Sequence, residues 1–536
     1  MPSRPNLAVA RATSVLVVAL ALGCGSDHGD ADGAIRLPKS FVLGAATAAQ
    51  QVEGGLTNTD WYQFTTLPEF AGKTAEPAGA AASSYELYDT DHQLVEDMGL
   101  DAYRFSIDWS RVMPRKGVFD EREIAHYRAV LDSVRAHGLA PYVTLHHFTN
   151  PIWVYDLTDL GCDGGPTDTN LCGWSNPEVA AQFALFCGRM AAELGGQVDW
   201  WATFNEPNVY FLSGYTGGSF PPGLFAPLPS DISGSFSKVL DRYLSAHAQC
   251  YDAIRANDTI DADHDGAAAR VGLTIATTAY EPADPADPKH VAAAEASGAP
   301  DYSFVNGVVA GGLDRDLDGV IDEDRPAYRD KLDWLGLQYY REAKVLPLLA
   351  KYPLSSVPCE DEITAFVGPL GPLLLDLLGC PRAPYPDFPI PNYTGPGPYH
   401  WGGVHAPEAL LDVTRLWADR FPTTPLLITE NGYGVREGDF AIGGNLRAQS
   451  LVRHLAVVRQ ILDSGIDLRG YFHWSLIDNF EWAQGFGIRF GLYTLDRETF
   501  ARTPTEAAAV LSEIAHTRRI SRELLDTYGG TGALRR

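Results

Sequence analysis

From about residue 36 onward, short apolar runs alternate with longer stretches in which apolar residues recur every three or four positions. The short runs are Phe41–Ala48, Ala102–Ile107, Ala140–His146, Asp199–Phe204, Arg270–Ile275, Leu332–Tyr339, Pro425–Thr429 and Leu468–Trp474. They are rich in Val, Ile, Leu and aromatic residues, which predicts strands covered on both faces. The stretches Glu121–His137, Asn176–Leu194, Phe236–Ala256, Ala406–Arg420 and Leu446–Ser464 predict helices, and Asn176-Pro177-Glu178 carries a helix start: a capping side chain, then proline in the first turn. Eight such alternations predict an α/β chain folded as a single (β/α)8 (TIM) barrel with elaborated βα loops. The largest elaboration, Leu346–Tyr399, follows the sixth strand. It reads as a packed insertion over the barrel mouth, although Phe366–Leu378 is apolar enough for a lid or a membrane-touching surface.

Polar residues cluster where these strands end: Gln51 to Glu53, Arg104, His146-His147, Asn205-Glu206, Gln338 to Tyr340, Glu430-Asn431 and Trp474. In a (β/α)8 barrel the carboxyl ends of all eight strands converge on one rim, where active sites are built. The periodicity alone therefore locates a candidate site.

Charge narrows the partners. The formal net charge of -27 excludes a phosphate backbone, which needs a basic face, and leaves a neutral small molecule open. The first 24 residues are not part of the fold. Arg4 and Arg11 precede an apolar stretch, Thr13–Leu22, too short to span a membrane. Ala21-Leu22-Gly23-Cys24 resembles a bacterial lipobox, which would make Cys24 a lipid-bearing mature N-terminus; an ordinary signal cleaved nearby is the alternative. The expected organisation is a signal over 1–24, a Gly- and Asp-rich tether over 25–35, the barrel over 36–520 and a tail over 521–536. Such a protein is exported, periplasmic or on the cell surface, and meets the membrane only through its lipid. Oxidising compartments favour disulfides, and Cys162–Cys172 and Cys359–Cys380 each bracket a loop. Cys187 and Cys250 lie in helical patterns, where buried free thiols are at least as good a reading as a bridge.

Glu206 stands in Thr203-Phe204-Asn205-Glu206-Pro207 and Glu430 in Ile428-Thr429-Glu430-Asn431-Gly432. Each carboxylate follows an apolar strand, and strands four and seven of an eight-strand barrel lie on opposite sides of the mouth. Two carboxylates flanking a substrate are what glycoside hydrolysis needs, one to protonate the leaving oxygen and one to attack or to activate water. A single glutamate at a strand end would read as a structural ion pair; the pair does not.

At these motifs the chain resembles glycoside hydrolase family 1. The resemblance extends to Phe41 through Gly54, Tyr103-Arg104-Phe105-Ser106-Ile107, Trp109-Ser110-Arg111, Val143 through Phe148, and Trp474 through Trp482, and it covers roughly residues 36–520. It implies a retaining exo-β-glycosidase, foremost a β-glucosidase, with Glu206 as acid/base and Glu430 as nucleophile. β-Galactosidase, β-fucosidase or β-mannosidase activity on the same machinery is the alternative, as is a carbohydrate-binding lipoprotein without turnover. The resemblance further implies that Arg104 and Tyr340 favour the Glu430 anion and that Asn205 holds the sugar 2-hydroxyl. Gln51, His147, Glu481 and Trp482 would take the other hydroxyls, and Trp474 would form the floor. The remaining aromatics Trp61, Trp153, Trp174 and Phe490 read as lining of the outer site, or equally as core or rim packing. Several positions depart from the family pattern, among them Gln50, Phe148, Gln338 and Tyr433. Catalysis of this kind calls for no cofactor. Structural calcium is suggested by Asp314, Asp316, Asp318 and Asp322, alternating carboxylates around Gly319, and more weakly by Asp261, Asp263 and Asp265; a solvated acidic turn is the competing reading of both. The adjacent His146 and His147 must point to opposite faces of their strand, which argues against a shared metal.

Overall fold

The computed structural model describes residues 33–224, 237–347, 356–358, 405–437, 440 and 443–530. The eight expected strands form in order: β1 Val42–Ala46, β2 Ala102–Ser106, β3 Ala140–His146, β4 Trp200–Asn205, β5 Arg270–Pro282, β6 Trp334–Pro347, β7 Leu426–Asn431 and β8 Leu468–Trp474. All neighbours are parallel, and β8 pairs back onto β1 from Gly470↔Val42 to Trp474↔Ala46, so the sheet closes and leaves the barrel no edge.

Alternation within each strand divides the core in two. One set of side chains, including Ala102, Tyr142, Ala202, Trp334, Leu427 and Phe472, fills the barrel interior. The other packs the shell beneath the helices, where Phe105, Val143, Leu145, Leu273, Leu337 and Ile428 are buried. The interior fits because small residues face large ones: a Cβ on Gly44 would strike the Phe472 ring, and one on Gly272 would strike Trp334.

Among the helices are α1 Glu121–Ala136, α2 Pro177–Leu194, α3 Pro207–Tyr215, α4 Ser237–Asn257, α5 Ala299–Asn306, α6 Ala409–Arg420 and α7 Gly443–Asp463. The expected start of α2 holds, with the Asn176 side chain accepting from the Glu178 amide at 3.0 Å and Pro177 in the first turn. Among the described residues no helix is long and apolar enough to cross a membrane.

Four features differ from the sequence reading or complete it. Strands β5 and β6 run well past the expected ends at Ile275 and Tyr339, because beyond the barrel they satisfy each other's backbone, from Ala279↔Glu342 to Pro282↔Val345. The cysteines in helical patterns, Cys187 on α2 and Cys250 on α4, form a disulfide, with Cα atoms 5.4 Å apart. Cys162 and Cys172 are bridged as expected (Cα–Cα 5.8 Å), while the Leu346–Tyr399 insertion, Cys359 and Cys380 included, lies almost wholly outside the described residues. Finally, the first and last strands of the described residues meet at the amino-terminal pole of the barrel. Ile35–Arg36 pairs antiparallel with Arg519–Ile520, and Arg518 donates to the Phe41 carbonyl and pairs with Asp101 at the foot of β2. Residue 35, counted with the tether, is thus part of the fold. So is most of the expected tail, which forms the helix Arg522–Tyr528 with Leu524, Leu525 and Tyr528 buried.

Candidate active site

Both carboxylates singled out in the sequence follow a β-bulge. Ala202↔Gly272 is followed by Asn205↔Thr274, so β4 spends three residues where β5 spends two. Likewise Ile428↔Leu337 is followed by Glu430↔Gln338, two steps on β7 against one on β6. A bulge re-aims the side chains that follow it, and here it turns Asn205, Glu206 and Glu430 into the mouth. Glu206 has left-handed backbone angles (φ 40°, ψ 59°) that non-glycine residues seldom adopt, held by its amide donating to Thr274 O at 2.9 Å and by Pro207 opening α3. Gly432 lets the chain after Glu430 pass against the Trp474 carbonyl, where a Cβ could not fit.

Glu430 is held on both oxygens. Arg104 Nη1 donates to its Oε1 at 2.5 Å and Gln338 Nε2 to the same oxygen at 2.7 Å, while the Tyr340 hydroxyl donates to Oε2 at 2.8 Å. Asn205 Oδ1 is saturated by Arg104 Nη2 (2.6 Å), Gln338 Nε2 (2.7 Å) and Thr274 Oγ1 (3.0 Å), which leaves its amide nitrogen as the group to meet a ligand. Arg104 is 1% exposed, so this network acts in a low-dielectric setting where unpaired charge is costly.

Burial raises the pKa of both carboxyls, but their surroundings differ. Arg104 and the Tyr340 hydroxyl pull Glu430 back towards ionisation. Glu206 is pushed well above the ordinary range by burial first and by the charge of Glu430 second, only partly opposed by Arg104. Glu430 therefore ionises first while Glu206 keeps its proton, and two environments divide one residue type into an anion and an acid. Tyr340→Phe removes a hydrogen bond made to the anion. It should raise the pKa of Glu430, move the acid limb of the kcat/KM profile to higher pH, and lower kcat/KM by about 10- to 100-fold, the range for a hydrogen bond to a charged group. A pH series of initial rates measures both effects.

Beside this pair lies a polar pocket. Gln51 Nε2 donates to Phe480 O (2.9 Å), Asn479 Oδ1 (3.0 Å) and Glu481 Oε2 (3.3 Å), and the Trp474 indole also bonds to Glu481. Burial, then the charge of Glu430, raises Glu481 to about 8. His147 stacks between Trp474 and Trp482, with ring centroids 5.9 Å from each, and Phe490 meets the Tyr340 ring edge-on at 5.8 Å. Among the described residues Gln51 Oε1 and His147 Nδ1 are buried with no protein partner. Buried polar atoms are rarely left so, and hydroxyl groups of a ligand would satisfy them.

The other sequence candidates go elsewhere. His146 points away from His147 into an aromatic cluster, bonds Asn150 Oδ1 at 3.1 Å and is driven down to about 4 by burial. Trp61, Trp153 and Trp174 are core residues whose indoles donate to Phe148 O, Met113 O and Asn150 Oδ1. Asp314, Asp316 and Asp322 bring carboxylate oxygens within 4.8 Å of one another, whereas Asp318 instead accepts from the Val320 amide at 2.8 Å. Asp261 and Asp263 gather likewise around Asp199, while Asp265 pairs with Arg270. Sequence reasoning missed Thr274 and the direct contact of Gln338 with Glu430. Period-two counting along β5 and β6 from the interior glycines Gly272 and Gly336 would have found both.

The model of a known family, Glycosyl hydrolase family 1, matches residues 34–520. The chain belongs to glycosyl hydrolase family 1. Its relatives in the family include a β-galactosidase of Pyrococcus woesei, 30% identical over 91% of this chain and 99% of that one. β-Glucosidase 47 of Arabidopsis thaliana is 28% identical over 89% and 85% of the two chains. A β-glycosidase from Pyrococcus horikoshii superposes with a TM-score of 0.72 at 28% identity, covering 94% of this chain and 99% of its own. This family 1 member is a glycoside hydrolase, and its closed eight-strand barrel is the architecture of those relatives.

Proposed function

We propose that this family 1 enzyme is a retaining exo-β-glycosidase with β-glucosidase as its principal activity, in which Glu430 is the nucleophile and Glu206 the acid/base. One observation carries the assignment: Glu430 is gripped by Arg104, Gln338 and Tyr340, while Glu206, in the same pocket, is pushed towards its protonated form. In the first step Glu430 attacks the anomeric carbon as Glu206 gives its proton to the leaving oxygen. Forming the glycosyl ester removes the charge on Glu430 that had raised Glu206, so Glu206 becomes a base and takes a proton from water, which displaces Glu430. Two inversions give net retention, and the Asn205 amide is placed to bind the 2-hydroxyl. Two carboxylates and water suffice, with no cofactor in the cycle.

The pocket supports a neutral sugar, and the preference for glucose among such sugars follows from the family resemblance. Gln51, His147, Glu481 and Trp482 can bond hydroxyl groups above a Trp474 floor, and Glu481-Trp482 resembles the family's neutral-sugar members rather than those that act on phosphorylated sugars. The Pyrococcus woesei relative, named a β-galactosidase, makes galactosides the second candidate. Measuring kcat/KM over a panel of nitrophenyl β-glycosides tests the claim. The glucoside is expected to lead, and the first-formed sugar to be the β-anomer by NMR. A galactoside, fucoside or mannoside preference overturns the substrate assignment, and sugar binding without turnover overturns the activity.

The same proposal places the enzyme outside the cytoplasm, tethered by lipid at Cys24. It draws on the lipobox-like Ala21-Leu22-Gly23-Cys24 and on the Cys162–Cys172 and Cys187–Cys250 disulfides, which suit an oxidising compartment. Activity should sediment with membranes and become soluble in Cys24→Ala.

A further inference from the structure

Behind Glu206 lies a second buried carboxylate that the reaction does not use. Asn208, two residues on and 3% exposed, fastens the start of α3 to β5: its Nδ2 donates to Ala276 O at 2.9 Å and its Oδ1 accepts from the Ala276 amide at 3.3 Å. The same Nδ2 donates at 2.5 Å to Oδ1 of Asp301, which is 6% exposed on α5. The Asn208 side chain thus acts as one more peptide unit of β5, and Asp301 clamps it there. The residue so fastened follows the left-handed turn at Glu206, which relaxes unless its surroundings hold it.

We propose that Asp301, acting through Asn208, is a positioning residue for the acid/base: it locks the strained Glu206 turn onto β5 and, once ionised, sets a negative charge behind the acid. The proposal rests on Glu206 being the acid/base. The charged groups that act on Glu206 come from four other elements: Glu430 on β7, Arg104 on β2, Glu481 after β8 and Asp301 on α5. Asp301 is itself raised to about 7 by burial, opposed by its Asn208 hydrogen bond and by Arg341 on β6. It is therefore ionised through the alkaline range in which Glu206 gives up its proton. Its negative charge raises the Glu206 pKa, so removing that charge lowers it.

Two variants separate charge from position. Asp301→Asn keeps an acceptor for Asn208 and removes the charge, so the alkaline limb of kcat/KM should move to lower pH with acid-side rates retained. Asp301→Ala removes the clamp as well. It should lower kcat/KM by about ten- to a hundred-fold for a phenyl glycoside, as expected of a misplaced catalytic group, and spare the 2,4-dinitrophenyl glycoside, whose leaving group needs little acid help. An unmoved alkaline limb in Asp301→Asn, or equal losses on both substrates in Asp301→Ala, overturns the proposal. Should Asp301→Ala fail to fold, the Asp301→Asn profile decides. Glu206→Gln assayed in parallel keeps the two assignments apart. If it spares the dinitrophenyl substrate, the acid/base reading stands and a failure at Asp301 concerns Asp301 alone.

Discussion

Glu430→Ala is expected to lower kcat by about 10⁴-fold or more, the scale on which loss of a covalent nucleophile is felt, and azide should restore part of the turnover. The shorter alanine side chain leaves space on the face from which Glu430 attacks, and the Arg104, Gln338 and Tyr340 donors that held the carboxylate would face a small anion instead. Azide entering there attacks once, so the rescued product is the α-glycosyl azide. The fold should survive, since Glu430 follows a bulge at the strand end and is not part of the apolar shell. Activity retained without azide, or a rescued β-azide, would show that another group attacks.

Glu206→Gln gives the complementary result. Loss of general acid catalysis should cost about 10²–10⁴ in kcat/KM on substrates with poor leaving groups, while the dinitrophenyl glycoside still forms the glycosyl-enzyme. Without a base for water that intermediate accumulates, so both kcat and KM fall and a burst of nitrophenol precedes slow turnover. Azide needs no base, and with Glu206→Ala it should accelerate the second step and yield the β-glycosyl azide. Opposite azide anomers from the two variants assign the two carboxylates independently.

How much of this was legible in the sequence depends on how local the cause is. The eight strands were legible because double coverage writes itself as uninterrupted apolar runs, and the site because barrel topology gathers their ends. Arg104 and Tyr340 were placed on the rim in this way, and the family resemblance supplied their expected contacts with Glu430, which the structure shows. The bulges before Asn205 and Glu430 were not legible, since alternation has no mark for an inserted residue whose partner strand is distant in sequence. Thr274 could be counted from Gly272 along β5, but its importance stayed hidden for the same reason, since it matters only because the β4 bulge sets it opposite Asn205. Cys187 and Cys250 each read as buried helix residues, and periodicity tells which face is apolar but not which helix lies against it. Asp301 sits in a short helix with no motif around it, and it gains meaning only when Asn208 is found 2.5 Å away.

Ile35–Arg36 and Arg519–Ile520 close at the foot of the barrel, and Glu206 and Glu430 open at its top. Gly33, the first described residue, therefore lies at the pole opposite the mouth that holds the two carboxylates, which is where the proposed lipid tether at Cys24 would join the barrel. Under that proposal the molecule would turn its back to the bilayer and its entrance to the solvent, and glycosides would reach it by diffusion rather than from the membrane plane.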